Sequence, residues 1–255
     1  MIDNMQRLII NADDFGISSK VNSAISECFR RFMITGTTLM VNMPHAEEAA
    51  QLAKDEGFYE RVGLHLNLTS GYPLTGNIRS FSCFCSKDGR FNASFQKKTS
   101  ERLYLTRDEA GAAAEEMEEQ IKKYLSLGLD NKHLDSHHHV HTNPSIYPSL
   151  EPLIKKYGIR SIRLSRNIYG RMSFLKAFYK KHYNARLKKS GIYTTDYFGS
   201  FTDFKRGYDK IPENSLTEIM VHPMYSDSGE LLDTEIPMDR EKNFFNSIGA
   251  VYEYY

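Results

Sequence analysis

The chain has 255 residues and balances 33 Lys and Arg against 32 Asp and Glu, so at a net charge of +1 it offers no field that would recruit nucleic acid or an anionic membrane. With 40% hydrophobic residues it can build one sizeable core, yet no apolar run approaches the ~18 residues of a membrane span. Three cysteines, Cys28, Cys83 and Cys85, cannot make a complete disulfide framework and fit a reducing cytoplasm, and Met1 to Asn11 has no leader-like pattern.

Arg7 to Asn11 reads as a short buried strand, and Ala12-Asp13-Asp14-Phe15-Gly16 follows at its carboxyl end. Ser18 or Ser19 then caps a helix whose apolar face is Val21, Ile25, Cys28, Phe29 and Phe32, closed by Gly36. Thr37 to Val41 is a second strand, His45 to Glu56 a second helix, and Val62 to Leu68 a third strand in strict alternation, with His65 and Asn67 on one face. The rhythm breaks at about 70–105, a stretch of Gly, Pro, Asn and aromatic residues that reads as a loop insertion within one domain spanning 1–255. Thr106-Arg107-Asp108-Glu109 is a capping box that opens a helix ending at Gly128. A fourth strand delivers Asp135-Ser136-His137-His138-His139-Val140-His141, a helix follows from Ile146 to Tyr157, Ile159 to Leu164 is a fifth strand, and Glu218 to Pro223 a later one. Residues 165–215 give no clear elements.

Strands alternating with helices imply a parallel sheet with right-handed crossovers, and the first strand is followed by acids where a dinucleotide fold would place glycines. Polar clusters fall at the carboxyl ends of several strands: Asp13 and Asp14, His65 and Asn67, Asp135 to His141, Arg163, and His222. That distribution predicts a distorted (β/α) barrel of TIM-like kind with its site at one mouth. The histidine run is the strongest chemical signal, since neutral imidazole is a common metal ligand. If extended, it puts Asp135, His137, His139 and His141 on one face; if helical, it aligns His137 with His141. A His-His-Asp set with open positions admits water and a substrate oxygen, and a second carboxylate nearby can take a proton from the water. His222 is the candidate acid for a departing amine, although a core histidine bonded to a carbonyl would look the same. Arg163 could hold the base ionised, or be an ordinary ion-pairing arginine.

Three blocks, Leu8 to Gly16, Val62 to Thr69 and His133 to His141, with Met220-Val221-His222-Pro223 as a fourth, resemble the signature segments of the YdjC-like carbohydrate deacetylases, a family that includes chitooligosaccharide deacetylases. The resemblance implies a metal-dependent hydrolase that removes acetyl groups from N-acetylglucosamine units such as those of diacetylchitobiose, acting as a homodimer. It implies Asp14, His65 and His137 as metal ligands, and, by similarity to the wider polysaccharide deacetylases, Asp13 as general base and His222 as general acid. Magnesium is the ion the family implies, whereas two imidazoles by themselves suit zinc or another transition metal. Phe15, Asn67, Tyr72 and Tyr225 are the expected sugar contacts, with core packing as the alternative for the aromatics. Hydrolysis of another amide, ester or phosphoester, or an inactive sugar-binding protein, would use the same scaffold. The sequence from Phe244 to Tyr255 does not match the helix and closing strand with which similar proteins end, which leaves closure of the barrel open.

Overall fold

A computed structural model describes residues 6–168 and 174–255. In chain order the elements are β1 (Arg7–Phe15), α1 (Ser19–Arg30), β2 (Gly36–Leu39), α2 (Ala46–Asp55), β3 (Val62–Leu66), α3 (Ser94–Lys97), α4 (Thr99–Leu103), α5 (Arg107–Ser126), β4 (His133–Ser136), α6 (Tyr147–Lys156) and β5 (Ser161–Ile162). They continue as α7 (Phe174–Lys189), β6 (Tyr197–Ser200), α8 (Phe201–Gly207), β7 (Leu216–Val221), β8 (Pro223–Tyr225), β9 (Leu231–Asp233), β10 (Ile236–Pro237), α9 (Met238–Ser247) and β11 (Val251–Tyr252).

The main sheet is parallel throughout and runs β5-β4-β3-β2-β1-β7-β6. Leu8, Ile9 and Ile10 are sealed from solvent on both faces of β1, as a central parallel strand covered on each side requires. Among the described residues β5 and β6, the two ends of this path, do not pair with each other, and the sheet there is an open, curled one. Asn167 spans the seam: its backbone N–H donates to the Phe198 carbonyl and its side chain accepts from the Phe198 N–H. A small antiparallel sheet, β10-β9-β8, covers the strand ends beside β7.

Where the chain departs from its sequence reading, the causes are local. β1 does not stop at Asn11 but runs on to Phe15, with its register against β2 slipping between Ala12 and Phe15. Phe32 is not on the apolar face of α1; it sits after the helix in left-handed backbone with its ring exposed, because the chain must turn sharply towards Met33. The stretch 165–215 does hold structure, namely α7, β6 and α8, while residues 169–173 lie outside the described residues. The segment from Met238 onwards also supplies a helix and a strand after all: β7 lines one edge of β1, β2 begins on the other edge only at Asn11, and β11 fills the part of that edge beside Arg7 and Leu8.

The Thr106 capping box forms as read, with Thr106 Oγ1 accepting from the Glu109 N–H and the Glu109 carboxylate accepting from the Thr106 N–H. Thr106→Ala should cost about 1 kcal/mol of stability without touching the barrel mouth, measured by urea unfolding. No helix among the described residues is long and apolar enough to cross a membrane. All three cysteines are buried and free.

Candidate metal centre

Asp14 owes its position to the irregular end of β1. Neighbouring residues of a regular strand face opposite sides. Here Asp14 takes a left-handed conformation at φ 67, which turns its carboxylate into the mouth beside that of Asp13. Gly16 completes the turn at φ 91, and a Cβ there would lie 2.9 Å from Leu39 Cδ1. Two consecutive acids therefore serve one cavity, which strand alternation alone would forbid.

His65 stands on β3 with its ring fully buried. Its Nδ1–H donates to Asp135 Oδ1 at 2.6 Å, with Thr38 Oγ1 3.0 Å from the same nitrogen, so Nε2 is left facing Asp14 Oδ1 at 3.2 Å. His137 Nδ1 approaches the same Asp14 oxygen at 2.7 Å. One donor atom from each of Asp14, His65 and His137 thus lies within 4.8 Å of the others. Ligands about 2.1 Å from a shared ion and at right angles to one another stand ~3 Å apart, so the spacing fits a divalent cation. Asp135 behind His65 is the outer carboxylate that fixes the tautomer of a metal-binding imidazole.

Electrostatics agree with the geometry. Burial opposes a charge on His65, but Asp135, Asp14 and Asp13 outweigh it and raise its pKa to about 10. Burial also works against ionisation of Asp14, yet hydrogen bonds and charge from His137 and His65 hold it well below the carboxylate range. The pocket is therefore short of positive charge. Two other sets of acids and histidines also converge, Asp13-His65-Asp135 and His133-Asp135-Glu218. Both are sealed from solvent, and their carboxylates are already engaged by Arg163.

The histidine run adopts neither expected form. β4 ends at Ser136, and His138 and His139 then take left-handed conformations at φ 52 and 56 within a tight 3₁₀ turn over His137–Thr142. Extended alternation and the helical i, i+4 pairing are both lost, and only His137 reaches the cavity. His138 pairs with Thr69, His139 packs edge-on against Phe198, and His141 is locked between the Ser136 hydroxyl and the Arg163 carbonyl, where burial and the Arg163 charge lower its pKa to about 3. Asp135, which an extended run would have placed among the ligands, is an outer partner instead.

Arg163 lies at the centre of the buried polar network. Its Nη1 and Nη2 donate to Asp13 Oδ2 and Oδ1 at 2.6 and 2.7 Å, Nη2 also meets Asp135 Oδ2 at 2.7 Å, and Nε donates to Glu218 Oε1 at 2.5 Å. Burial pushes against the Asp13 charge, but the guanidinium holds this carboxyl far below its ordinary range. Asn11 Nδ2 adds a bond to Asp13 Oδ1 at 2.9 Å. On the opposite side of the mouth, the half-buried His222 donates its backbone N–H to Asp233 Oδ1, which lies 3.8 Å from its Nδ1. Burial disfavours a charged His222, but Asp233, Asp13 and Asp14 prevail and lift its pKa above the ordinary value.

The four expected sugar contacts fare less well. Phe15 is fully buried against Phe58 and offers no face to a ring. Asn67 is buried too, tying the Thr69–Ser70 turn together and donating to Asn42. Tyr72 and Tyr225 are partly exposed, Tyr72 under the Arg90 guanidinium, but neither borders the cavity of about 350 Å³ beside His222. That cavity is lined by Arg166, Ser200, Thr202, Thr234, Glu235 and neighbours. Sequence reading missed Thr38, Glu218 and Asp233. Glu218 had a signal, a lone acid in an apolar strand; Thr38 and Asp233 had none.

The profile of the YdjC-like protein family matches residues 7–248. A carbohydrate deacetylase of Geobacillus stearothermophilus is 36% identical over 221 residues, covering 86% of this chain and 80% of the relative. One from Vibrio cholerae is 34% identical over 225 residues, covering 87% and 79%. A candidate cellobiose-phosphate cleavage protein of Enterococcus faecalis V583, known from its crystal structure, superposes with a TM-score of 0.73 at 22% identity, covering 98% of this chain and 97% of that one, and so shares the fold. The chain belongs to the YdjC-like family.

Proposed function

We propose that the protein is a carbohydrate deacetylase, a hydrolase that cleaves the acetamide of N-acetylglucosamine units in small chitooligosaccharides and releases acetate. The observation that carries the reading is the pairing of two adjacent carboxylates with opposite duties. Asp14 faces two imidazoles in the mouth, while Asp13 is clamped by Arg163 and kept ionised. Relatives named carbohydrate deacetylases supply the substrate class.

Asp14, His65 and His137 would hold the cation, and Asp135 would orient His65. When bound, a divalent ion polarises the acetyl carbonyl and acidifies water. Asp13, already deprotonated, accepts the proton of the attacking water; Arg163 keeps it ionised and fixes its plane. His222, whose pKa Asp233 and the mouth carboxylates raise, gives a proton to the departing nitrogen. Two imidazoles and one carboxylate favour zinc or another transition ion over magnesium, the ion that the resemblance implies. The same reading places a homodimer in the cytoplasm, in keeping with three free cysteines, and light scattering on the purified protein tests the dimer.

Purified protein with added metal and diacetylchitobiose should release acetate; phosphate or alcohol release from other substrates, with no acetate, would refute the substrate class. Asp14→Ala or His137→Ala should lower affinity for zinc at least tenfold by calorimetry, because each removes one of three donors. Affinity unchanged in both would move the ion elsewhere.

A further inference from the structure

Beneath the mouth lies a second buried polar cluster. His133 on β4 and Glu218 on β7 belong to it, and His133 Nε2 and Glu218 Oε2 are buried without a partner. A third orphan, Tyr255 Oη, reaches them from the segment after β11. Glu253 N–H donates to the Leu8 carbonyl at 2.8 Å, which carries the chain along β1 and into the barrel floor. There the Tyr255 ring lies flat on His133, centroids 3.5 Å apart at 12°. Gly63 leaves the room, since a Cβ on it would come within 3.1 Å of His133 Cδ2. The stack brings the phenol towards Glu218, since a ring nitrogen of His133 and a carboxylate oxygen of Glu218 lie within 4.8 Å of each other, yet Tyr255 Oη and Glu218 Oε2 are both without a hydrogen-bond partner.

A metal ion suits this cluster poorly. Both oxygens of Asp135 are used by His65, Thr38 and Arg163, and a dication would sit against the fixed guanidinium charge. A hydroxyl donating to a carboxylate fits the orphaned Tyr255 Oη and Glu218 Oε2 without that repulsion.

We propose that Tyr255 and Glu218 are positioning residues for the deacetylation: the Tyr255 hydroxyl holds one oxygen of Glu218, so that the other stays on Arg163 Nε and fixes the plane in which the guanidinium grips Asp13. The guanidinium is a rigid fork, so anchoring its Nε edge orients its two other nitrogens, and through them the carboxylate they bind. This rests on the proposed role of Asp13 as base. The groups facing Glu218 are Arg163 after β5, Asp135 and His133 on β4, and Tyr255. Burial pushes Glu218 up to about 7, against the downward pull of Arg163 and the phenol. Loss of the hydroxyl therefore raises it further, and a neutral Glu218 holds Arg163 less firmly.

The test compares the full chain with Tyr255→Phe, which keeps the ring on His133, and with Glu218→Gln. On diacetylchitobiose with saturating zinc, Tyr255→Phe should lower kcat about tenfold with KM and zinc affinity unchanged, the loss of one charge-assisted hydrogen bond. The acid limb of its kcat profile should move to higher pH, and Glu218→Gln should abolish that limb. Carboxyl-¹³C glutamate NMR reads the link without turnover: the signal lost in Glu218→Gln should titrate at higher pH in Tyr255→Phe than in the parent. An unmoved midpoint, or wild-type kcat and pH profile in Tyr255→Phe, overturns the proposal. If the parent releases no acetate while the midpoint still moves, the deacetylase reading fails and the Tyr255–Glu218 link stands.

Discussion

Asp13→Asn should reduce acetate release by roughly 10²–10⁴-fold, the range of a positioned general base, while zinc still binds with near wild-type affinity. The three donors facing the ion position are Asp14, His65 and His137, and none is altered. The asparagine keeps an oxygen for one guanidinium nitrogen, but its NH₂ group meets the other donor to donor, where the carboxylate had accepted from both. Some stability is lost with the ion pair, so the assay belongs well below the variant's melting temperature. Loss of turnover with metal affinity retained separates proton transfer from metal binding. Retained turnover would place the base elsewhere in the mouth. Because Arg163 holds Asp13 far below the ordinary carboxylate range, its protonation should not limit activity at any pH near neutral.

Arg163→Met should be the most destabilising single change in the barrel, by about 3–5 kcal/mol. Arg163 is 1% exposed, and it is the cation against which Asp13, Asp135 and Glu218 are buried. A methionine fills much of the volume but leaves three carboxylates in a low-dielectric interior. Against a usual total of about 5–15 kcal/mol, the loss brings the fold close to its limit. The sign of the pH response is diagnostic. In the parent, Asp13 has a depressed folded pKa, so its contribution is present above the ordinary carboxylate pKa and is lost as pH falls through the folded value. In the variant, burial raises the folded values of Asp13 and Glu218, while Asp135 keeps its bond with His65, and stability should instead recover as acid protonates Asp13 and Glu218. Urea unfolding at pH 7 and pH 5 should show the deficit shrinking at the lower pH. A deficit that is constant with pH would mean that packing against Phe198, 4.8 Å from the guanidinium, outweighs charge. Arg163→Lys should not rescue, because a point charge cannot span carboxylates that the planar fork reaches together.

The sequence by itself determined the alternation of strands and helices, the mouth on which Asp13, Asp14, His65, Arg163 and His222 meet, and the absence of a dinucleotide fingerprint. These features are local: burial on both faces of Leu8 to Ile10, capping at Thr106, and residue type at the strand ends are written in short windows of the chain. Tertiary structure alone decided which histidine of the run reaches the cavity, because left-handed backbone at His138 and His139 breaks both periodicities on which a sequence reading rests. It also decided that Asp14 turns in beside Asp13, through a register slip against β2 that no spacing announces. The same holds for the partners that tune the site. Thr38, Asp135, Glu218, Asp233 and Tyr255 lie on different elements, and only the curl of the sheet brings them within hydrogen-bonding or electrostatic reach of His65, Arg163 and His222.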